Sequence, residues 1–446
     1  MRKKAFILAF LLMVASVLLP APAEAATFDV NFEMHSKGVL LANLDTDIVV
    51  FEENADEPLE PASLTKIMTY IVAVENIDDL NVEITAPSSA IDALLGTGSS
   101  MAGIYRGETL TALQLLNCMM VPSGNEASMI LADYVGGGSI PAFVEMMNQK
   151  AAELGCENTH FANPHGLHDA SHVTTARDLY KIIKHAMTLP HFTEITSQTR
   201  YTIPPTNKSE NARTLVTTNY MINKNSPRPE YYYQYAKGIK TGSHDEAGHC
   251  LASTAIKGGY TYLCIALGSP SVDAEGNYIA ENGAMIDSKA LYEWAFDNLE
   301  LKTIVSREQV MKEIKLELAW NKDTILLTPG QEFSTIMPEN VEASSVTITV
   351  DVPESITAPV QAGTVIGTAT LSYANQYLGE IDLVASESVE RSELLYYLQA
   401  AKNVVTSKWF IIGVGALIFL LVVYFIIAAV YNKRHRKRKV KKYRRF

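Results

Sequence analysis

Residues 409–431 contain no charged side chain, and this run constrains the chain more than any other feature. As a helix rising about 1.5 Å per residue, it spans the ~30 Å hydrocarbon core of a bilayer. Trp409, Phe410 and Tyr431 stand at its ends, where aromatic rings favour the membrane interface. Residues 432–446 then hold ten Lys and Arg and no acid, which places this tail in the cytoplasm by the positive-inside rule. The expected arrangement is a cell-membrane protein with a single pass and its folded body outside. A basic run also suits nucleic acid. The adjacent span already accounts for its position, and no nucleic-acid partner is expected.

The opposite end supports the same topology. Arg2, Lys3 and Lys4, an apolar run over residues 5–19 and the small-residue close Ala23-Glu24-Ala25 make up a secretory signal peptide over residues 1–25. Cleavage after Ala25 is expected, because the run is short for an uncleaved anchor. Of 37 Lys and Arg, three lie in the signal and ten in the tail, leaving 24 against 48 of the 49 acids. The exported part therefore carries a net charge of −24, which again argues against nucleic-acid binding.

Within the exported part, Ser63 and Lys66 stand three apart, ahead of Ile67, Met68, Ile71 and Val72 at helical spacing. On a helix these positions are neighbours, so the Lys66 amine reaches the Ser63 hydroxyl. A serine becomes a nucleophile near neutral pH only when a base takes its proton, and lysine can be that base only if burial or a nearby cation lowers its pKa. The pair alone is ordinary, since serine is common at helix starts. Two later stretches give it weight. Ser123-Gly124-Asn125 ends one apolar helix and opens another, a turn that presents a hydroxyl and an amide. Lys240-Thr241-Gly242 opens a run continuing through Ala247 to Ala255 as a buried strand, with a turn at Lys257-Gly258-Gly259 and a second strand over residues 260–267.

S-x-x-K, S-D-N and K-T-G in this order mark penicillin-recognising serine enzymes, and here only the middle Asp is replaced, by Gly124. With Phe143, Met147-Asn148, Asn163-Pro164-His165-Gly166-Leu167 and Ala247-Gly248, the chain resembles the low-molecular-weight penicillin-binding proteins that act as serine-type D-alanyl-D-alanine carboxypeptidases. The resemblance covers nearly the whole mature chain. It implies that Ser63 attacks the carbonyl of a peptidoglycan stem peptide ending in D-Ala-D-Ala and that Lys66 takes its proton. Lys240 would be the second cation that keeps Lys66 neutral, and Ser123 would relay the proton to the leaving D-alanine. The resemblance further implies an oxyanion site at the backbone N–H groups of Ser63 and Ser243. Asn125 would hold the peptide backbone and Thr241 the terminal carboxylate, with Gly242 and Ser243 along the substrate. β-Lactam antibiotics would be covalent inhibitors. His165 belongs to a loop that borders the cleft in the family and is a candidate substrate contact. Many relatives carry His or another residue where Ser243 stands.

The fold class implied is an α/β (α+β) serine β-lactamase/penicillin-binding transpeptidase-like domain over residues 26–298. The residues agree: a hairpin at 38–43 and 48–51, helices over 113–120, 126–134, 140–154 and 175–185, and strands at 199–203 and 215–219 suggest one sheet packed on a helical cluster. From residue 299 the pattern shifts to alternation, as in Ile314, Leu316 and Leu318 or Val346, Ile348, Val350 and Val352. Residues 299–387 read as a small all-β domain with no cluster of titratable groups, a spacer or interaction module. A juxtamembrane helix or linker follows over 388–408, then the transmembrane helix over 409–431 and the basic tail over 432–446.

Four cysteines, Cys118, Cys156, Cys250 and Cys264, stand mostly in apolar settings and read as free buried thiols. His160, His165, His168 and His172 crowd one loop with Asp169, as a zinc hydrolase would require, but match no H-E-x-x-H spacing. No metal and no cofactor are expected. A class A β-lactamase would need an E-x-x-L-N glutamate, which is absent between Ser123 and Lys240. A penicillin-sensing module and a cross-link endopeptidase share the same motifs.

Overall fold

Alternation of side chains along the strands builds a sheet covered on both faces. The computed structural model describes residues 28–273, 275–374 and 376–442, so the signal peptide and the end of the basic tail lie outside the described residues. Strands β1 (Gly38–Asn43), β2 (Ile48–Glu53), β3 (Ala236–His244), β4 (Gly248–Lys257) and β5 (Tyr260–Ser269) form one sheet in the order β2-β1-β5-β4-β3. Leu40, Ala42, Leu263, Ile265 and Leu267 face one hydrophobic cluster, while Val39, Leu41, Tyr262, Cys264 and Ala266 face the other. A period of two with apolar residues in both phases is what a doubly covered sheet demands.

One face packs on helices α1 (Thr65–Asn76), α2 (Ala112–Met120), α3 (Asn125–Val135), α4 (Ile140–Glu153) and α5 (Ala176–Ala186). Their starts are written locally: Thr111 and Gln114 form a reciprocal capping box on α2, and Ser139 and Thr175 cap α4 and α5. The other face packs on α6 (Gly283–Asn298), a helix the sequence reading leaves uncalled, through Leu291, Tyr292 and Ala295. The Tyr292 hydroxyl bridges the sheet, donating to the Ser253 carbonyl and accepting from the Cys264 N–H at 3.1 Å.

The K-T-G stretch departs from expectation. It lies inside its own strand, β3, paired antiparallel with β4, rather than opening the strand that begins at Gly248. The four cysteines are buried and free, as expected.

Contacts divide the chain into two compact units, the first running to Ile304 and taking in 334–347 and 372–378, the second comprising 305–333, 348–371 and 379–446. A six-stranded sheet from the later part of the chain orders Thr347–Asp351, Val365–Tyr373, Gln376–Ala385, Thr324–Pro329, Lys312–Glu317 and Ser355–Thr357. Its mixed pairing includes one parallel ladder, Lys315 to Glu317 against Ser355 to Thr357. Helix Glu393–Thr406 precedes helix Lys408–Lys442, of which Lys408–Lys433 is long and apolar enough to cross a membrane.

Candidate active site

The nucleophile segment changes helix type where the chemistry sits. Ala62–Leu64 forms a 3₁₀ turn that runs into α1, so Ser63 precedes the α-helix and Lys66 falls in its first turn. Ala62 holds a left-handed backbone with φ 45°, and Ser123 ahead of α3 does the same with φ 66°. Such conformations cost a non-glycine residue about 1–3 kcal/mol and concentrate at functional sites.

Lys66 is fully buried behind Ser63. Its Nζ stands 2.9 Å from Ser63 Oγ, 2.6 Å from Asn125 Oδ1 and 2.7 Å from the His165 carbonyl oxygen. A neutral amine has two N–H donors and one lone pair. The two carbonyl oxygens only accept, so in the neutral form they would take both N–H groups and leave the lone pair to the Ser63 O–H. Burial pushes the Lys66 pKa well below that of an ordinary lysine, the Lys240 cation pushes it the same way, and Glu126 opposes both. Of the two causes that can lower it, burial leads and Lys240 comes second. Lys240 is itself buried, donates to the Thr241 carbonyl at 2.9 Å and is pushed down to about 7 by burial.

Missing side chains let the parts approach. A Cβ on Gly242 would stand 2.9 Å from Ser63 N and 2.8 Å from the Pro61 carbonyl oxygen, so β3 lies against the nucleophile turn only as glycine. At Gly124 a Cβ would meet the Cys118 carbonyl at 2.7 Å and Ala102 Cβ at 2.9 Å, which leaves no room for the aspartate of the commoner motif. Gly166, at φ 85°, would place a Cβ 1.9 Å from the Ala62 carbonyl oxygen.

That contact shows how the histidine loop serves the site. Thr69 donates its hydroxyl to the Pro164 carbonyl at 2.6 Å, which fastens the loop to α1. His165 Nδ1 accepts from the Leu167 N–H at 3.2 Å, and burial pushes its pKa down to about 3. The ring is buried and is not among the residues that line the cleft, while the backbone carbonyl accepts from Lys66. His172 Nδ1 accepts from the Ala162 N–H at 3.1 Å, so its proton sits on Nε2 and goes to Thr65 Oγ1, 2.7 Å away. Thr65 in turn donates to the Ala62 carbonyl at 2.7 Å, which braces the strained turn. His160 meets the Ser171 carbonyl and His168 meets Glu60. Among the described residues no group of three or more His, Cys, Asp or Glu is placed to hold a metal ion.

Ser63, Ser123, Thr241, Gly242 and Ser243 line one cleft of about 240 Å³, whereas Lys66, Asn125, Lys240 and His165 are buried outside its lining. Other lining residues went unread as site residues in the sequence, among them His249, Arg228 and Tyr231. His249 stands opposite Ser243 on β4, with Nδ1 3.1 Å from Ser243 Oγ. Arg228 and Tyr231 come from a short 3₁₀ turn, Pro229–Tyr231, and the residue before it. The only local signal for His249 was its register, which requires K-T-G to be a strand of its own. A neutral buried amine aimed at a serine hydroxyl, in a cleft edged by strand N–H groups, suits nucleophilic acyl transfer.

Comparison with known proteins places this geometry. In fold, the chain is similar to the crystal structure of penicillin-binding protein 5 from Haemophilus influenzae, with a TM-score of 0.63 and 24% identity, covering 82% of this chain and 100% of that one. The Streptomyces K15 DD-transpeptidase structure covers 60% of this chain and 100% of its own, with 28% identity and a TM-score of 0.54. The class is therefore that of penicillin-binding, β-lactamase-like folds. Residues 23–271 match the D-alanyl-D-alanine carboxypeptidase family, and residues 299–391 match the penicillin-binding protein 5 C-terminal domain. The chain belongs to the D-alanyl-D-alanine carboxypeptidase family, whose members are serine-type hydrolases. It is 29% identical over 364 residues to the D-alanyl-D-alanine carboxypeptidase DacF of Bacillus subtilis, spanning 82% of this chain and 88% of that one. DacC of Escherichia coli is 28% identical over 355 residues, or 77% of this chain and 81% of its own length.

Proposed function

We propose that this carboxypeptidase removes the terminal D-alanine from peptidoglycan stem pentapeptides through an acyl-enzyme on Ser63, and that penicillins acylate the same oxygen. The observation that carries the reading is the buried Lys66 amine, 2.9 Å from Ser63 Oγ and held by the Asn125 and His165 carbonyl oxygens at 2.6 and 2.7 Å. Lys66 takes the Ser63 proton as the oxygen attacks the penultimate carbonyl, and the N–H groups of Ser63 and Ser243 receive the developing oxyanion. Ser123 passes the proton to the leaving D-alanine. Water then attacks the ester, with Lys66 again the proton acceptor. Asn125 positions Lys66 and the peptide backbone, while Thr241, Gly242 and Ser243 form the edge along which the substrate lies.

The same reading divides the chain into a catalytic domain over 26–298, a β domain over 299–387, a linker over 388–408 and a span over 409–431. The catalytic domain faces outward and residues 432–446 lie in the cytoplasm. Mass spectrometry of a pentapeptide incubated with the purified full-length protein tests the reaction. Loss of one alanine by the wild type, and neither loss nor covalent penicillin labelling by Ser63→Ala, is expected. Cleavage of cross-linked peptide without alanine loss indicates an endopeptidase, a stable adduct without turnover indicates a sensor, and alanine release by Ser63→Ala overturns the serine mechanism.

A further inference from the structure

A lysine that serves as a base meets two opposed demands. Its amine must be neutral to take the Ser63 proton, yet basic enough to hold it, so its pKa should lie near the working pH. Burial and the Lys240 charge both push Lys66 down, and Glu126 pushes back. Glu126 follows Asn125, whose Oδ1 stands 2.6 Å from the Lys66 amine, and it is fully buried in the first turn of α3.

The surroundings of this carboxyl are built for an anion. Its Oε1 accepts the N–H groups of Gly103 at 2.8 Å and Ile104 at 3.2 Å, and the start of a helix favours negative charge. Its Oε2 meets no hydrogen-bond acceptor among the described residues, so the O–H of a neutral acid would find no partner there. Burial pushes the Glu126 carboxyl up, and the Ile104 and Gly103 N–H groups pull it down. The strap that supplies those donors, residues 100–104, is itself fastened: the Gly103 carbonyl accepts from Arg213, and the Ser100 carbonyl accepts the Asn125 N–H at 2.9 Å. The neighbouring titratable groups bring no competing charge. Burial pushes His165 down to about 3, His172 down to about 4 and the Cys118 thiol up, so all three are neutral near pH 7, and Glu108 is paired with Arg213.

We propose that Glu126 is a positioning residue of the reaction, a buried carboxylate held by the 100–104 strap behind Asn125 that keeps the Lys66 amine a strong enough base for Ser63. The assignment rests on the Ser63–Lys66 reading above. Lys240 and Glu126 thus act on Lys66 with opposite signs, one from β3 and one from α3.

The test is the pH profile of labelling by a fluorescent penicillin, measured on the full-length protein in detergent. Glu126→Gln removes the charge and keeps an oxygen for both strap N–H groups. Glu126→Met removes the charge without burying a new donor, and serves where the amide upsets folding. In either variant the acid limb should move down by about half a pH unit to one, less than the 1–3 that an adjacent opposite charge gives. Labelling on that limb should then rise by about three- to tenfold, a gain that misfolding does not produce. The plateau above it should fall by roughly two- to threefold, because the base is weaker. A residue that only anchors the strap would lower the whole profile and leave the limb in place, and that result, or a limb that moves up, overturns the Glu126 assignment alone. A wild type whose labelling has no acid limb, or survives Ser63→Ala, overturns the Ser63–Lys66 reading and the assignment with it.

Discussion

Replacing Asn125 by Asp tests the protonation state of Lys66 directly, because the two side chains share a shape and differ by one charge. The perturbed atom lies 2.6 Å from the Lys66 amine, inside a fully buried site. An opposite charge at such range favours the ammonium and raises a lysine pKa by about 1–3 units. Coulomb's law agrees: at an effective dielectric constant near 20, unit charges about 4 Å apart attract by about 4 kcal/mol, roughly three units. The base must be neutral to take the Ser63 proton, so acylation rises with pH through the Lys66 pKa. Raising that pKa moves the acid limb upward by the same amount. At a fixed pH on that limb the rate should fall by roughly ten- to a thousandfold, and alkali should restore it. The assay is the second-order rate of labelling by a fluorescent penicillin, followed across the pH range in which both proteins stay folded. A uniform loss with the acid limb unmoved would falsify this account, because it would mean that Asn125 acts on the ligand alone and that Lys66 is not the titrating base.

Two further outcomes follow from the packing and the topology. Gly166→Ala should destabilise the catalytic unit by about 1–2 kcal/mol for the left-handed backbone and about 1–3 kcal/mol for the clash with the Ala62 carbonyl, and should slow penicillin labelling by shifting the His165 carbonyl off Lys66. Gly155→Ala, at φ 72° with no atom within 4 Å of its Cβ, should cost only the backbone part in a thermal melt, and equal effects at the two sites would sink the clash argument. A chain ended after Ser407 should leave the membrane fraction and still bind penicillin; retention in the membrane after signal cleavage would show a second anchor.

Features written in adjacent residues were legible, and features made by distant contacts were not. Thr111, Ser139 and Thr175 cap the helices that begin just after them, and the alternation in residues 38–43 and 260–267 reports two buried sheet faces. The three motifs likewise carry their residue types in the open. What the chain order hides is which atom of each residue faces the site. Asn125 reads as a substrate contact, yet its carbonyl oxygen is bound to Lys66, across 59 positions of sequence. His165 reads as a side-chain substrate contact, and the atom it brings to Lys66 is its backbone carbonyl, because Gly166 lets the loop pass against the Ala62 carbonyl. Arg228 lies in a polar, proline-flanked stretch that resembles any surface turn until the Ala280 carbonyl and Tyr231 fix it in the cleft.

The two buried lysines divide their tasks by the partners that surround them. Interacting amines titrate as a pair, so the site loses one proton more readily than the other. Lys66 has both N–H groups on carbonyl oxygens and needs its fourth position empty for Ser63, so a third proton there has only a serine oxygen to face. Lys240 has no such competitor, and its ammonium keeps the Thr241 carbonyl as partner. Burial and the Lys240 charge both push Lys66 toward the neutral amine, whereas burial alone acts on Lys240. Since burial holds Lys240 near 7, its charge is present below that pH and fades above it. Losing it removes the lesser of the two downward influences on Lys66, while burial, the greater one, remains. On the proposed mechanism, alkali should leave the base competent and weaken the positive field along the β3 edge, so an acid limb set by the Ser63–Lys66 pair and an alkaline limb set by Lys240 are the expected profile.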